Sequence, residues 1–134
     1  MSDVRDAAEA PRDRPRAMRE HLPDERESIT LHAELGMPDG VLDAYLIIGK
    51  YPDGRPGEVF LKIEGVDADR YAGLADAFAI ALSIALQHGV PLQAFTAKLR
   101  GSRAQPTGRS GQRLSASLID VIARRLDEKF PGVG

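Results

Sequence analysis

The chain has 134 residues, a formal net charge of −2 and no cysteine. This length allows one modest hydrophobic core, and the near-neutral charge gives no global sign of a nucleic-acid or membrane partner. The lack of cysteine excludes disulfides, thiol catalysis and thiolate metal sites. Residues 1–16 contain no apolar core of the kind that a signal peptide requires, so we expect a cytoplasmic protein.

The N-terminal segment, residues 1–27, is rich in charge and contains few large apolar side chains. A segment of this kind cannot bury enough apolar surface to offset the entropy that is lost on ordering. We therefore predict a mobile tail over residues 1–27, followed by one α+β domain over residues 28–134. An arm that folds on a partner is the alternative interpretation of the tail.

Three segments with β-strand character follow the tail. Apolar side chains alternate with polar ones from Ser28 until a loop at residues 36–40, and they alternate again over residues 58–64. Residues 41–50 between them are rich in β-forming side chains, and residues 52–57 provide a turn. The short connections predict a three-stranded antiparallel meander, whose apolar face needs a cover.

Residues 71–91 form the longest apolar segment and are the predicted cover. Apolar side chains fill most of the helical circumference, so we predict a helix that packs against two partners. The apolar run 72–86 has fifteen residues, fewer than the roughly 20 that a membrane-spanning helix needs. The side chains at spacings of three and four that define the predicted main face are Tyr71, Leu74, Phe78, Leu82 and Ala85.

A thin polar seam along this helix contains Asp76, Ser83 and Gln87. A carboxylate among apolar neighbours must find a hydrogen-bond donor or face solvent. A surface position for Asp76, or an ion pair with an arginine such as Arg103, therefore explains the seam better than a catalytic acid.

Start and stop signals predict two further helices. Gly89 tolerates positive φ just past a helix end, and Pro91 is a favourable first residue for a short helix over residues 92–99. Ser115 or Ser117 can cap a last helix that carries an apolar stripe. The expected architecture is thus a meander packed on a long central helix, with a short helix and a C-terminal helix.

The segment 98–113 is the main candidate site from the residues alone. Arginine side chains on a glycine-rich backbone can hold the phosphates of a nucleotide or a nucleic acid, although a solvated loop that balances the acidic tail is the simpler interpretation. The segment has no aromatic residue for base stacking and no phosphate-loop spacing. Its basic residues are Lys98, Arg100, Arg103, Arg109 and Arg113.

No residue pattern predicts catalysis or a metal site. The three histidines, His21, His32 and His88, match no metal-ligand spacing, and no nucleophile-elbow motif is present. We therefore expect no catalytic residue, no metal and no cofactor.

Several strings in the second half of the chain resemble one known family. YPDGRPGEVFLKIEG, LADAFAIALSIALQHGVPL and LRGSRAQPTG occur in this order. They are similar to the C-terminal region of adenosylcobalamin-dependent, class II ribonucleotide reductases, a TSCPD-type domain, and the resemblance covers about residues 17–130. The positions that match the family motifs, and for which the resemblance implies a structural role, include Asp53, Gly54, Arg55, Pro56, Gly57, Asp76, Gly89 and Pro91.

The resemblance implies a module without catalysis of its own. In the family, the radical-carrying and reducing cysteines, the nucleotide pocket and the cobalamin site lie in a large barrel that this sequence does not contain. We therefore expect a free-standing, cofactor-free module linked to deoxynucleotide synthesis, which binds itself or a protein partner such as a reductase barrel. Phosphate, nucleotide or nucleic-acid binding through residues 98–113 is the alternative, and no membrane partner is expected.

Overall fold

The computed structural model of the chain describes residues 18–101 and 117–132. Three strands come first and three helices follow within these ranges. The strands are β1 (Ser28–Met37), β2 (Gly40–Lys50) and β3 (Pro56–Gly65). The helices are α1 (Ala68–Gln87), α2 (Leu92–Leu99) and α3 (Leu118–Lys129). The predicted α+β class is confirmed.

The strands form one antiparallel sheet in the order β1-β2-β3, which confirms the predicted meander. Leu31 lies opposite Leu46, and Leu46 lies opposite Leu61, so a row of leucines crosses the inner face. Alternation in β2 places four fully buried side chains on that face: Leu42, Ala44, Leu46 and Ile48.

The hydrophobic core lies between the inner face of the sheet and the helices. Helix α1 packs on β3, α3 packs on β1, and α2 packs beside α3. Leu82 from α1 and Ile122 from α3 are both almost completely buried in this core. Ser117 caps α3, since its hydroxyl accepts a hydrogen bond from the Asp120 amide. No helix among the described residues is both long and apolar enough to cross a membrane.

Helix α1 uses a different face for packing from the one predicted. Small side chains at Ala75 and Ala79, together with Leu82 and Leu86, lie against the sheet. Leu74 was predicted to lie on the main face, but its exposed fraction is 75%. The prediction for Leu74 is wrong because a helix that is apolar all round does not reveal which side is turned to the sheet.

The polar seam of α1 closes the outer edge of β3. Ser83 Oγ accepts a hydrogen bond from the Val59 amide at 2.8 Å and donates one to the Val59 carbonyl at 3.1 Å. Gln87 Nε2 donates to the Gly57 carbonyl at 2.9 Å. An edge strand presents unpaired backbone groups that favour aggregation unless they are covered. The seam therefore supplies backbone hydrogen bonds to the sheet.

Replacing Ser83 by alanine should lower the free energy of unfolding by about 1–3 kcal/mol, because two hydrogen bonds to the backbone of Val59 are lost. Urea denaturation measures this difference. The matched control is Ala77→Ser on the exposed side of α1, which should cost no more than about 0.5 kcal/mol. An equal stability of the Ser83→Ala variant and the wild-type protein would show that the seam does not support the edge.

The described part of the predicted tail, residues 18–27, makes contacts with the domain, whereas residues 1–17 lie outside the described residues. The Glu20 amide donates to the Gln87 carbonyl at 2.8 Å, and the Lys50 amide donates to the Glu27 carbonyl at 2.9 Å. Arg26 Nε lies 2.8 Å from Glu58 Oε2. These contacts connect the segment to the end of α1, to the end of β2 and to the start of β3.

Candidate protein-interaction surface

Helix α1 carries a second apolar face that is turned away from the sheet. The side chains of Leu74, Ile80 and Ile84 are exposed by 75%, 61% and 49%, respectively. We call these three residues the exposed α1 face. Large apolar side chains that cluster at a protein surface commonly mark a site of interaction.

Helix geometry explains why both faces exist. Each residue turns the helix by about 100°, so Ile80 and Ile84 lie roughly opposite Ala75 and Ala79. Small, exposed residues lie between the large side chains of the exposed α1 face: Gly73, Ala77 and Ala81. They leave room for a partner to approach the helix backbone closely.

A groove runs between the exposed α1 face and β3. Phe60, which is 54% exposed, lines it together with Ile80 and Ile84. Arg19 and Asp76 also line the groove, and Arg19 Nε donates to Gln87 Oε1 at 2.6 Å. Asp76 thus has the surface position that the sequence favoured over a catalytic one. The groove combines an apolar lining with one cation, Arg19, and two carboxylates, Asp76 and Glu58.

The family-matched turn before β3 organises the N-terminal segment. Arg55 Nε lies 2.7 Å from Asp53 Oδ2, and the guanidinium also reaches Glu20 at 3.1 Å and stacks over the Tyr51 ring at 4.5 Å. The hydrogen bond to Asp53 raises the pKa of Arg55, while the backbone and side-chain hydrogen bonds from Arg55 lower the pKa of Asp53. Burial, together with the nearby charge of Glu20, raises the pKa of Tyr51.

Two family-matched turns meet at one small pocket. Arg55 and Pro56 from the turn before β3 line it together with Gly89, Pro91 and Phe130. Gly89 has a φ of 89°, which favours glycine at the end of a helix. The pocket is therefore a junction between the sheet and the start of α2.

Gly57, in the same turn, is limited by space. A Cβ atom there would lie 2.7 Å from the Tyr51 ring and 2.8 Å from Leu22. Asp76 lies away from this junction, in the groove beside α1. The family-matched residues thus maintain the fold at one place and line a surface at another.

The basic segment is described only at its start. Lys98 is exposed, and Arg100 lies 3.1 Å from Asp127 Oδ2. Arg103, Arg109 and Arg113 lie outside the described residues. Phosphate binding by the five basic residues consequently stays a prediction.

A buried carboxylate at Asp120, which is only 5% exposed, was not predicted from the sequence. Its Oδ1 accepts a hydrogen bond from the Gly101 amide at 2.5 Å, and Arg124 Nε lies 3.0 Å from Oδ2. Burial opposes ionisation, but the Gly101 hydrogen bond and Arg124 outweigh it and lower the pKa of Asp120. Asp120 therefore fixes the point at which the basic segment leaves α2.

The stability that Asp120 contributes should depend on pH. A carboxylate whose pKa is lowered on folding stabilises the protein above its ordinary pKa of about 3.9, and this contribution is lost as the pH falls through the lower folded value. Asp120→Asn should lower the free energy of unfolding at pH 7 by about 1.5–3 kcal/mol. It should also flatten the loss of stability below pH 4. Urea denaturation of both proteins across this range checks the prediction, and parallel pH profiles would contradict it.

One group of side chains on the outer face of the sheet has metal-ligating atoms close together. The donor atoms of His32, Glu34 and Asp43 all lie within 4.8 Å of one another. This group was not predicted from the sequence, because only the pairing of β1 with β2 brings Asp43 to the other two residues. The available signal was the His-x-Glu alternation, which places both side chains on one face of a strand.

Comparisons with known proteins give a consistent result. The TSCPD domain family matches residues 14–130. A vitamin B12-dependent ribonucleotide reductase from Rhodopirellula baltica is 40% identical over 115 residues, which are 84% of this chain and 11% of the reductase. The proteins with the same name from Streptomyces coelicolor and Agrobacterium fabrum are 39% and 30% identical over 118 residues.

The chain spans about a tenth of the length of these relatives: 12% of the Streptomyces coelicolor protein and 9% of the Agrobacterium fabrum protein. The aligned regions make up 86% and 85% of this chain, respectively. No solved structure matches the chain significantly. With a family match over most of its length and relatives at 30–40% identity, the chain belongs to the TSCPD domain family found in vitamin B12-dependent ribonucleotide reductases.

Proposed function

We propose that the chain is a non-catalytic interaction module of deoxynucleotide synthesis in the cytoplasm, and that it docks on the body of a B12-dependent ribonucleotide reductase through the exposed α1 face. The observation that carries this proposal is the second apolar face of α1. The core uses Ala75, Ala79 and Leu82, and it does not need Leu74, Ile80 or Ile84.

The energetics favour a partner at this face. Burial of a large aliphatic side chain contributes about 1.5–3 kcal/mol relative to exposure. Ile80, Ile84 and Phe60 line one groove, so a single apolar segment can contact all three. Arg19 and Asp76 in the same groove have opposite charges and can set the direction of the segment that binds.

The relatives supply the argument for the kind of partner. In them the matching region is only 9–12% of a reductase polypeptide, so this module is connected to a much larger protein body. A module that packs on that body needs an apolar surface beyond its own core. We propose that the exposed α1 face is this surface.

The non-catalytic part of the proposal follows from composition. Ribonucleotide reduction in the class II reductases uses cysteine thiols, and this chain has no cysteine. We therefore assign the chain binding and no chemical step of reduction.

The test is a binding titration with a B12-dependent reductase polypeptide in two forms, one intact and one without its own matching module. We expect saturable one-to-one binding to the truncated form, measured by isothermal titration calorimetry, and at least about tenfold weaker binding to the intact form, whose own module occupies the site. Absence of binding to the truncated form, or equal binding to both forms, would contradict the proposal.

The same protein allows the alternative to be tested. Nucleotide or single-stranded DNA binding that weakens with salt, and that disappears in an Arg100/Arg103/Arg109→Ala variant, would support phosphate binding through the basic segment. Arg100, one of these cations, already forms an ion pair with Asp127. We therefore place the interaction function first.

A further inference from the structure

We propose that the outer face of the sheet binds a divalent transition-metal ion, with Zn²⁺ as the representative, through His32, Glu34 and Asp43. The site is independent of the proposed function. It lies on the β1–β2 half of the sheet, whereas α1 packs on β3.

Strand pairing concentrates negative charge at this place. Glu34 lies opposite Asp43, and Asp43 lies opposite Glu64, so three carboxylates form one row across the outer face. Like charges directly opposite each other on neighbouring strands are destabilising. A cation bound within the row would relieve this repulsion.

Side chains in the neighbouring row contact only some of these three carboxylates. Lys62 Nζ lies 3.3 Å from Glu64 Oε2, and His32 Nε2 lies 2.7 Å from Asp43 Oδ1. Among the described residues, Glu34 has no ion-pair partner. Within the ranges 18–101 and 117–132, the carboxylates of Glu34 and Asp43 therefore have one close imidazole nitrogen and no ion pair with a lysine or an arginine.

The imidazole is held in position before any ion binds. The His32 ring stacks on the Tyr45 ring, with centroids 4.7 Å apart and an interplanar angle of 18°. Arg125 Nε donates to the His32 carbonyl at 3.0 Å, which fixes the backbone of β1 at this residue. A fixed imidazole reduces the ordering that metal binding requires.

The distances are compatible with a small ion. Zinc lies about 2.0–2.2 Å from nitrogen and oxygen ligands, so the ligand atoms of a tetrahedral site are about 3.3 Å apart. The donor atoms here lie within 4.8 Å of one another. Rotation of the exposed Glu34 and the partly exposed Asp43 side chains can close the remaining gap, since both carboxylates are on flexible stems.

The donor set selects the class of ion. One imidazole nitrogen and two carboxylate oxygens suit zinc and neighbouring transition metals, whereas Mg²⁺ and Ca²⁺ prefer oxygen ligands alone. Three protein ligands leave at least one position for water, and the exposure of His32 and Glu34 gives water access to it.

The test is isothermal titration of the untagged, full chain with Zn²⁺, and separately with Mg²⁺. We expect one saturable Zn²⁺ site that is weakened about tenfold or more by His32→Ala, Glu34→Gln or Asp43→Asn, since loss of outer-shell partners alone costs about 10–100-fold. Binding of Mg²⁺ should be much weaker. The His32 imidazole signals in NMR spectra should shift on addition of Zn²⁺, while those of His88 should not.

The matched control is Glu64→Gln, which removes a charge from the same row without removing a proposed ligand. It should change Zn²⁺ affinity less than about threefold. Equal weakening by Glu64→Gln and Glu34→Gln, or equal affinity for Mg²⁺ and Zn²⁺, would show a diffuse attraction to the acidic row and overturn the site. Absence of saturable Zn²⁺ binding to a folded wild-type chain would overturn it as well.

Discussion

Leu82→Ala is expected to lower the free energy of unfolding by about 2–5 kcal/mol, whereas Ile80→Ala should change it by less than about 0.5 kcal/mol. Both residues lie in the middle of α1, but the exposed fraction is 1% for Leu82 and 61% for Ile80. Truncation of Leu82 leaves a cavity against the sheet. Truncation of Ile80 removes surface that water already contacts.

Urea denaturation of the two variants at the same pH measures this contrast. Alanine also has a higher helix propensity than isoleucine, which partly offsets any packing that Ile80 loses. If the two substitutions cost similar free energy, Ile80 contributes to a core. The division of α1 into a packed face and an exposed face would then be wrong.

Replacing all three residues of the exposed α1 face by serine is expected to weaken binding to the truncated reductase polypeptide by about 50-fold or more. This estimate takes half of the usual burial energy of about 1.5–3 kcal/mol for each of Leu74, Ile80 and Ile84. The free energy of unfolding of the module should change by less than about 1 kcal/mol, because the three side chains are outside the core. Calorimetric titration and urea denaturation of the same preparation measure both quantities.

Leu82→Ala is a control for the triple variant, because the expected effects on stability and on affinity are reversed. It should lower stability and leave the affinity of the folded module for the reductase polypeptide nearly unchanged, because Leu82 faces the sheet. A triple serine variant that binds as tightly as the wild-type protein would remove the exposed α1 face from the proposed function.

Local signals in the sequence predicted most of the secondary structure. Period-two alternation predicted the three strands, and the proline and glycine signals predicted a helix over residues 92–99, the range of α2. Ser117, one of the two predicted caps, is the N-cap of α3. These features depend on residues that are close in sequence, which is why composition and periodicity were sufficient.

The orientation of α1 could not be predicted in the same way. Because apolar residues surround the helix, periodicity did not distinguish the side that holds Leu82 from the side that holds Ile80. The polar seam contained the missing information. Ser83 and Gln87 mark the edge of β3, and a helix that bonds to a strand edge must turn one of its apolar sides to solvent.

The polar groups around Asp43 and Asp120 could not be predicted, because they form through contacts between distant parts of the chain. Asp43 reaches His32 only through the register of β1 with β2, and Asp120 meets Gly101 only when α3 folds against the end of α2. Neither pair has a recognisable spacing. The resemblance to the reductase family identified the relatives correctly, but it did not indicate these contacts.

Protection of one introduced thiol tests the docking of α1 most directly. The chain has no cysteine, so Ile80→Cys provides a single reactive thiol on the exposed α1 face, and Glu64→Cys provides a control thiol on the outer face of the sheet. With saturating truncated reductase polypeptide, alkylation of the thiol at position 80 should slow at least about tenfold, as expected for a buried side chain at the centre of an interface. The control thiol should react at its original rate. Equal alkylation of the thiol at position 80 with and without a bound partner would contradict the claim that this face is the docking surface.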